Sequence, residues 1–285
     1  MTETQIEAID VGVGKWTFSC RVAGPPDGRL VILLHGFPQT SWSWRHQLAA
    51  LGAAGYRVVA PDQRGYSPGA RPEGVEHYAV EHLIADVLGI ADEMGGHEFD
   101  LVGHDWGGAV AWYLAGRYPA RVRTLTVVST PHPLAFAGAL ADSGDQQQRS
   151  TYVTFFRQEG NVAELAMLAD GAQGLRNLYQ GSGLTPEDAE EYLGVLTQPG
   201  ALTGALNYYR ATGFQQAAAI GPITAPTMYV WSTDDVALGR DAAEATGQFV
   251  EGPYRFEVLD GVSHWIPEHA ADALNELLLA HLART

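Results

Sequence analysis

The sequence predicts a doubly wound α/β fold: a mostly parallel central sheet flanked by helices, with an all-helical cap inserted late in the sheet. Three observations predict it. Apolar runs of strand length alternate with stretches of helical period through residues 30–128 and again through 226–282. Between them, residues 132–220 hold no convincing strand. Lastly, Gly103-His104-Asp105-Trp106-Gly107 places glycine two positions either side of a polar tip. That is the spacing of a tight strand-to-helix turn, which leaves no room for flanking side chains and lifts the tip residue into the open.

The elements follow in order. Residues 15–21 alternate polar and apolar and read as an edge-side strand, paired with residues 6–11. Residues 30–34 form a buried strand that ends in His35-Gly36-Phe37-Pro38, and a helix opens at residues 40–44 and reaches about Leu51. A further buried strand covers 56–60, and Leu83, Ile84, Val87, Ala91 and Met94 follow helical spacing. Residues 99–102 are a short buried strand leading into the turn around Asp105, whose helix runs to about Tyr118; 122–128 is the next strand. In the cap, residues 141–150 are polar and 151–168 read as one helix. Thr185-Pro186-Glu187-Asp188 supplies an N-cap, a proline in the first turn and a following acid, and Pro199-Gly200 separates that helix from one over 201–211. The sheet resumes with 226–231, a helix after Leu238, a strand over 254–259 and a final helix over about 267–282. The expected division is a core of residues 1–131 and 221–285 around a cap of 132–220.

Composition bounds the function. The chain has 285 residues and a net charge of −16, which argues against nucleic acid and anionic membrane as partners. Cys20 is the single cysteine, so no internal disulfide framework or cysteine metal cluster is expected. The acidic opening lacks the basic and apolar regions of a signal peptide, and the longest apolar run is far too short to span a bilayer. A cytoplasmic protein is the expectation.

The chemistry starts at Asp105. A carboxylate at the tip of such a turn sits over a helix N-terminus, where an anion is favoured. It is already ionised at neutral pH and needs no base to attack a saturated carbon, which gives an ester of the enzyme. Releasing that ester requires a histidine to activate water, a carboxylate to orient it and an oxyanion hole. The ends of later strands supply candidates. His264 lies in the loop after the last strand, and Asp234 and Asp235 follow the strand before it, with Asp235 preferred as the orienting acid. The backbone N–H groups of Phe37 and Trp106 are the oxyanion candidates, and a cis bond before Pro38 would turn that loop. His35 and His104 read as structural histidines that hold the loops around the turn. His264 and His269 flank Glu268, but the spacing is wrong for a helical zinc motif and Pro267 interrupts it, so no metal is expected.

Nucleophile, acid and histidine come in the chain order of α/β hydrolases. His35-Gly36-Phe37-Pro38 together with Gly103-His104-Asp105-Trp106-Gly107-Gly108 resembles the epoxide hydrolases of the α/β-hydrolase superfamily, over nearly the whole chain. The resemblance implies two cap tyrosines that hydrogen-bond the epoxide oxygen. Leu206-Asn207-Tyr208-Tyr209-Arg210 is similar to their second tyrosine motif and selects Tyr209; Tyr152, ahead of Phe155, Phe156 and Arg157, is similar to the first. Phe37, Trp106, Phe155 and Phe156 are expected to line an apolar site. The implied reaction takes a small hydrophobic epoxide and water to a vicinal diol, with no cofactor. A homodimer is compatible with such a chain. The rivals are a haloalkane dehalogenase, which often carries asparagine where this chain has Phe37, and a non-catalytic ligand-binding protein on the same scaffold. An intact set of Asp105, Asp235 and His264 argues against the latter.

Overall fold

The computed structural model describes residues 5–142, 144–180, 182–212 and 219–284. The strands are β1 (Glu7–Val13), β2 (Trp16–Ala23), β3 (Leu30–Leu34), β4 (Arg57–Pro61), β5 (Phe99–His104), β6 (Val122–Val128), β7 (Thr227–Asp234) and β8 (Tyr254–Ser263). They form one eight-stranded sheet in the order β1-β2-β4-β3-β5-β6-β7-β8. The β1–β2 and β2–β4 pairs are antiparallel, and every pair from β4 to β8 is parallel. Strand length and burial explain the order. All residues of β3 and β5 are buried, as strands covered on both faces must be. β1, at one edge, alternates exposed and partly buried residues along much of its length.

Before β6 lie α1 (Arg45–Ala53), α2 (Val80–Glu93) and α3 (Trp106–Arg117). Between β6 and β7 the chain runs through α4 (Pro133–Asp142), α5 (Gly144–Arg149), α6 (Thr151–Phe156), α7 (Val162–Leu178), α8 (Pro186–Leu196) and α9 (Ala201–Ala211), with no strand among the described residues there. It closes with α10 (Arg240–Ala245), α11 (Ile266–His269) and α12 (Ala271–Leu282). Two expected helices are each split in two. Residues 151–168 break because Gly160 and Asn161 adopt positive φ angles of 75° and 59° between α6 and α7. The last helix is interrupted at Ala270. The polar stretch after residue 141 contains α5. The capping box of α8 forms as its sequence suggests: Thr185 Oγ1 accepts from the Asp188 N–H at 3.1 Å and Asp188 accepts in return from the Thr185 N–H at 3.4 Å.

Period-two alternation divides each strand between two cores. Ile32 and Leu34 of β3 pack with Leu83, Val87, Val110 and Trp112 on one face, and this core continues into the inserted helices through Leu175, Tyr192 and Leu206. Val31 and Leu33 pack on the other face with Leu48, Leu51, Leu274 and Leu278 of α1 and α12. Among the described residues no helix is long and apolar enough to cross a membrane.

Candidate active site

The site stands at the carboxyl ends of β5, β7 and β8. At the tip of the turn after β5, Asp105 has φ 50° and ψ −119°, a conformation that costs a non-glycine residue energy and persists because its surroundings hold it. The flanking glycines are required by contact. A Cβ on Gly103 would meet the Gly107 carbonyl oxygen at 2.3 Å, and one on Gly107 would meet that of Leu34 at 2.2 Å. Thr130 Oγ1 donates to the Asp105 carbonyl at 2.7 Å and steadies the turn from the segment after β6.

β7 and β8 deliver the other two groups. His264 Nδ1 lies 2.7 Å from Asp235 Oδ2, and its Nε2 lies 3.7 Å from Asp105 Oδ2. Asp235 is held from behind, its Oδ1 accepting from the N–H groups of Ala237 at 2.8 Å and Leu238 at 2.9 Å. Asp234, the alternative acid, is exposed at the end of β7. Both carboxylates accept, so the His264 Nδ1–H points at Asp235 and, on the charged ring, the Nε2–H points at Asp105. Burial by itself depresses His264, but the charges and hydrogen bonds of Asp235 and Asp105 outweigh it and raise its pKa to about 10. Burial raises Asp105, yet the hydrogen bond and charge of His264, with help from the Phe37 N–H, hold its carboxyl below the usual carboxylate range. Asp105 and His264 thus stand as an ion pair.

The Phe37 N–H donates to Asp105 Oδ1 at 2.7 Å. Trp106 is the first residue of α3, so its N–H has no intrahelical acceptor. The Phe37–Pro38 peptide is cis. A cavity of about 300 Å³ opens over Asp105 and is lined by Trp106, Tyr152 and Tyr209, among others. The rings of Tyr152 and Tyr209 are 6.1 Å apart and edge-on, and burial raises the pKa of both hydroxyls, with the Asp105 charge adding to it. Tyr208 points elsewhere and donates to the Arg64 carbonyl at 2.9 Å.

The arrangement is that of a fixed carboxylate facing a small apolar chamber, with a histidine beside it and a second carboxylate behind that histidine. A family model described as alpha/beta hydrolase fold matches residues 29–271. The chain belongs to the α/β-hydrolase family. This hydrolase is 36% identical to epoxide hydrolase 4 of Mus musculus over 269 residues, 91% of this chain and 74% of the relative. It is 35% identical to the AB hydrolase superfamily protein YfhM of Bacillus subtilis over 273 residues, 93% of this chain and 94% of the relative. The crystal structure of epoxide hydrolase A from Mycobacterium thermoresistibile superimposes with a TM-score of 0.86 at 30% identity, covering 98% of each chain.

The walls of the hydrolase cavity differ from the aromatic lining expected. Trp106 lines it, but Phe37, Phe155 and Phe156 do not. Phe37 and Phe156 instead pack edge-on against Tyr209 at 5.6 and 5.0 Å, and Phe155 packs on Phe156 at 5.9 Å, a layer that backs the tyrosines. The apolar wall comes from Ala109 and Tyr113 of α3 and from Pro133, Phe136 and Leu140 of α4. The spacing 133, 136, 140 is one face of a helix, a signal present in the sequence that marks the wall once α4 is known to lie over the turn. His35 and His104 each hydrogen-bond the loops around Asp105, to Gln63 and to Gln39 respectively. Gln39 and Glu268 were not singled out from the sequence as site residues, and both lie directly behind it.

Proposed function

We propose that this hydrolase opens small apolar epoxides to vicinal diols through an ester at Asp105. Residues 132–220 serve as the cap over a core of 1–131 and 221–285. One observation carries the reading: a single cavity is lined by the Asp105 carboxylate and by the phenols of Tyr152 and Tyr209. Opening an epoxide demands both partners together, a nucleophile on carbon and donors for the oxygen that leaves it. An Asp105 oxygen forms a bond to one ring carbon as the carbon–oxygen bond breaks. The electron pair goes to the epoxide oxygen, which takes hydrogen bonds from both tyrosines and a proton from one of them.

The second half follows from charge. Esterification removes the negative charge of Asp105, which stands 3.7 Å from His264 and helps to keep it protonated. His264 then gives up its proton, which replaces the one lost by the tyrosine, and, held in place by Asp235, takes a new one from water as that water attacks the Asp105 carbonyl. The oxyanion accepts from the N–H groups of Phe37 and Trp106, and its collapse releases the diol and restores the carboxylate. Halide release is less well supported. The Trp106 ring that a halide would use packs edge-on against Tyr209 at 4.9 Å, and its partners in the cavity are two phenols rather than a second weak N–H donor.

The test offers purified protein terminal, aryl and internal epoxides and, separately, haloalkanes, and quantifies diol and halide. A single turnover in heavy-oxygen water is expected to place label in the Asp105 peptide. Label confined to the diol refutes the ester, and halide without diol refutes the choice of leaving group.

A further inference from the structure

Two buried histidines flank the turn, and their neighbours treat them differently. His35 Nε2 lies 3.1 Å from the Gln63 N–H donor, and its Nδ1 lies 3.0 Å from the Gly36 carbonyl. With one donor and one acceptor beside it, a neutral ring protonated on Nδ1 satisfies both. His104 has no such pair. Its Nε2 is 2.9 Å from the carbonyl oxygen of His264, and its Nδ1 is 3.0 Å from the side-chain amide of Gln39. The other end of that amide lies 2.5 Å from Glu268 Oε2.

Counting protons along this line exposes a conflict. If Glu268 is ionised, Oε2 only accepts, so the NH2 of Gln39 faces Glu268 and its oxygen faces His104. His104 then stands between two acceptors. A neutral ring leaves one lone pair pressed against another, and His104 is fully buried, where that costs most. A proton on Glu268 Oε2 removes the conflict. It donates to the Gln39 oxygen, and the amide turns end for end with its heavy atoms in the same positions. The Gln39 NH2 then donates to His104 Nδ1, and His104 Nε2–H donates to the His264 carbonyl. Glu268 Oε1 is left facing donors alone, the Tyr192 hydroxyl and Arg45 Nη1 at 3.4 Å.

We infer that Glu268, Gln39 and His104 form a hydrogen-bond chain closed by a proton on Glu268, and that through this chain Glu268 is a positioning residue for His264. His104 ends β5 immediately before Asp105, so the chain grips the strand of the nucleophile and the backbone of the base at once. Tyr192 carries it to α8 of the inserted helices. The proposal rests on His264 being the base of the reaction proposed above.

The groups around Glu268 agree with it. Arg45 Nη2 pairs with Asp188 at 3.0 Å, closer than its 3.4 Å contact with Glu268. The other titratable neighbours are Tyr192, Asp188 of α8, which opposes ionisation of Glu268, and Tyr179, whose hydroxyl donates to the Pro38 carbonyl at 2.7 Å. Burial pushes the Glu268 carboxyl up to about 7, and burial with the nearby His264 holds His104 down to about 4. Raising the pH removes the Glu268 proton and turns Gln39 back. The His104 proton moves to Nδ1, and Nε2 releases the His264 carbonyl.

The test is nitrogen NMR of the full-length protein labelled in its histidine rings, with His104 assigned from His104→Gln. Wild-type His104 is expected as the neutral Nε2–H form at pH 5.5 and as the Nδ1–H form at pH 9. In Glu268→Gln an amide NH2 takes the place of the proton permanently, so the Nε2–H form is expected at both. Gln39→Leu cuts the chain, and the pH response of His104 is expected to vanish. A cationic or Nδ1–H ring in the wild type at pH 5.5, or a response that persists in Glu268→Gln, overturns the proposal. Diol formation is read in parallel: the ratio of turnover at pH 9 to that at pH 6.5 is expected to be at least threefold higher in Glu268→Gln than in wild type. A ring that switches in a protein forming no diol refutes the epoxide reading and leaves the chain standing. Diol from a protein whose ring does not switch refutes the chain alone.

Discussion

Replacing Asp105 by Asn tests the coupling between nucleophile and base, because the amide has the shape of the carboxylate and, like the ester, no charge. Asp105 Oδ2 stands 3.7 Å from His264 Nε2. Two unit charges at that separation interact by ~4–5 kcal/mol at the effective dielectric of ~20 that suits protein sites. That energy corresponds to a change of about 3 in pKa. His264, raised to about 10 with both carboxylates in place, is therefore expected near 7 in Asp105→Asn, where Asp235 alone supports its charge. The assay is an NMR titration of the His264 ring in wild type and variant. A variant value still above about 9 refutes the account, since Asp105 then contributes little and esterification cannot release the base. The same shift has a stability signature. The folded pKa of His264 lies above its unfolded value near ~6.5, so its contribution is complete below that pH and is lost as pH rises towards about 10. In Asp105→Asn that loss is expected to be smaller and finished near pH ~7.

Other perturbations separate the remaining roles. His264→Gln leaves alkylation intact and removes the base, so the substrate mass is expected to persist on the Asp105 peptide; free enzyme after mixing with epoxide counts against the ester. Tyr209→Phe and Tyr152→Phe are each expected to cut kcat/KM by about tenfold or more, whereas Tyr208→Phe, whose hydroxyl serves the Arg64 carbonyl, stays within about threefold. Gly36→Ala places a Cβ 2.2 Å from that of Asp105, so the turn must shift; calorimetry is expected to show ~1–3 kcal/mol of destabilisation together with loss of diol formation. Glu268 carries a folded pKa raised to about 7, so its stabilising proton is lost as pH rises through that value. Glu268→Gln is therefore expected to match wild type near pH 5 and to exceed it by up to about 3 kcal/mol at pH 8, read by denaturant titration.

Much of the site was legible because it is local. The turn at Asp105 depends on glycines within two positions of it, and the strand ends before Asp235 and His264 are marked by apolar runs of strand length. The fold class followed for the same reason: alternating strand and helix periods admit few topologies, and a parallel sheet puts its functional groups at the carboxyl ends of strands. The break between α6 and α7 was not legible. Gly160-Asn161, in a stretch of residues 157–161 without an apolar side chain, is a local mark of a turn, but nothing near it in the chain says whether such a pair ends a helix or is carried through one.

By itself, then, the sequence determined an α/β sheet, an inserted helical segment and a carboxylate at the tip of a strand-to-helix turn, since each depends on periodicity or on contacts between near neighbours. Asp235 was already preferred over Asp234 in the sequence, and the structure sets it against His264; tertiary structure alone decided that α4 and not the Phe155–Phe156 pair walls the cavity, and that Gln39 meets Glu268. Residues 39 and 268 come together because β3 and β8 run parallel in the sheet, so the segments that follow them leave it on the same side. The chemistry of such a contact is set by how many donors and acceptors converge there, a count that no single stretch of chain contains.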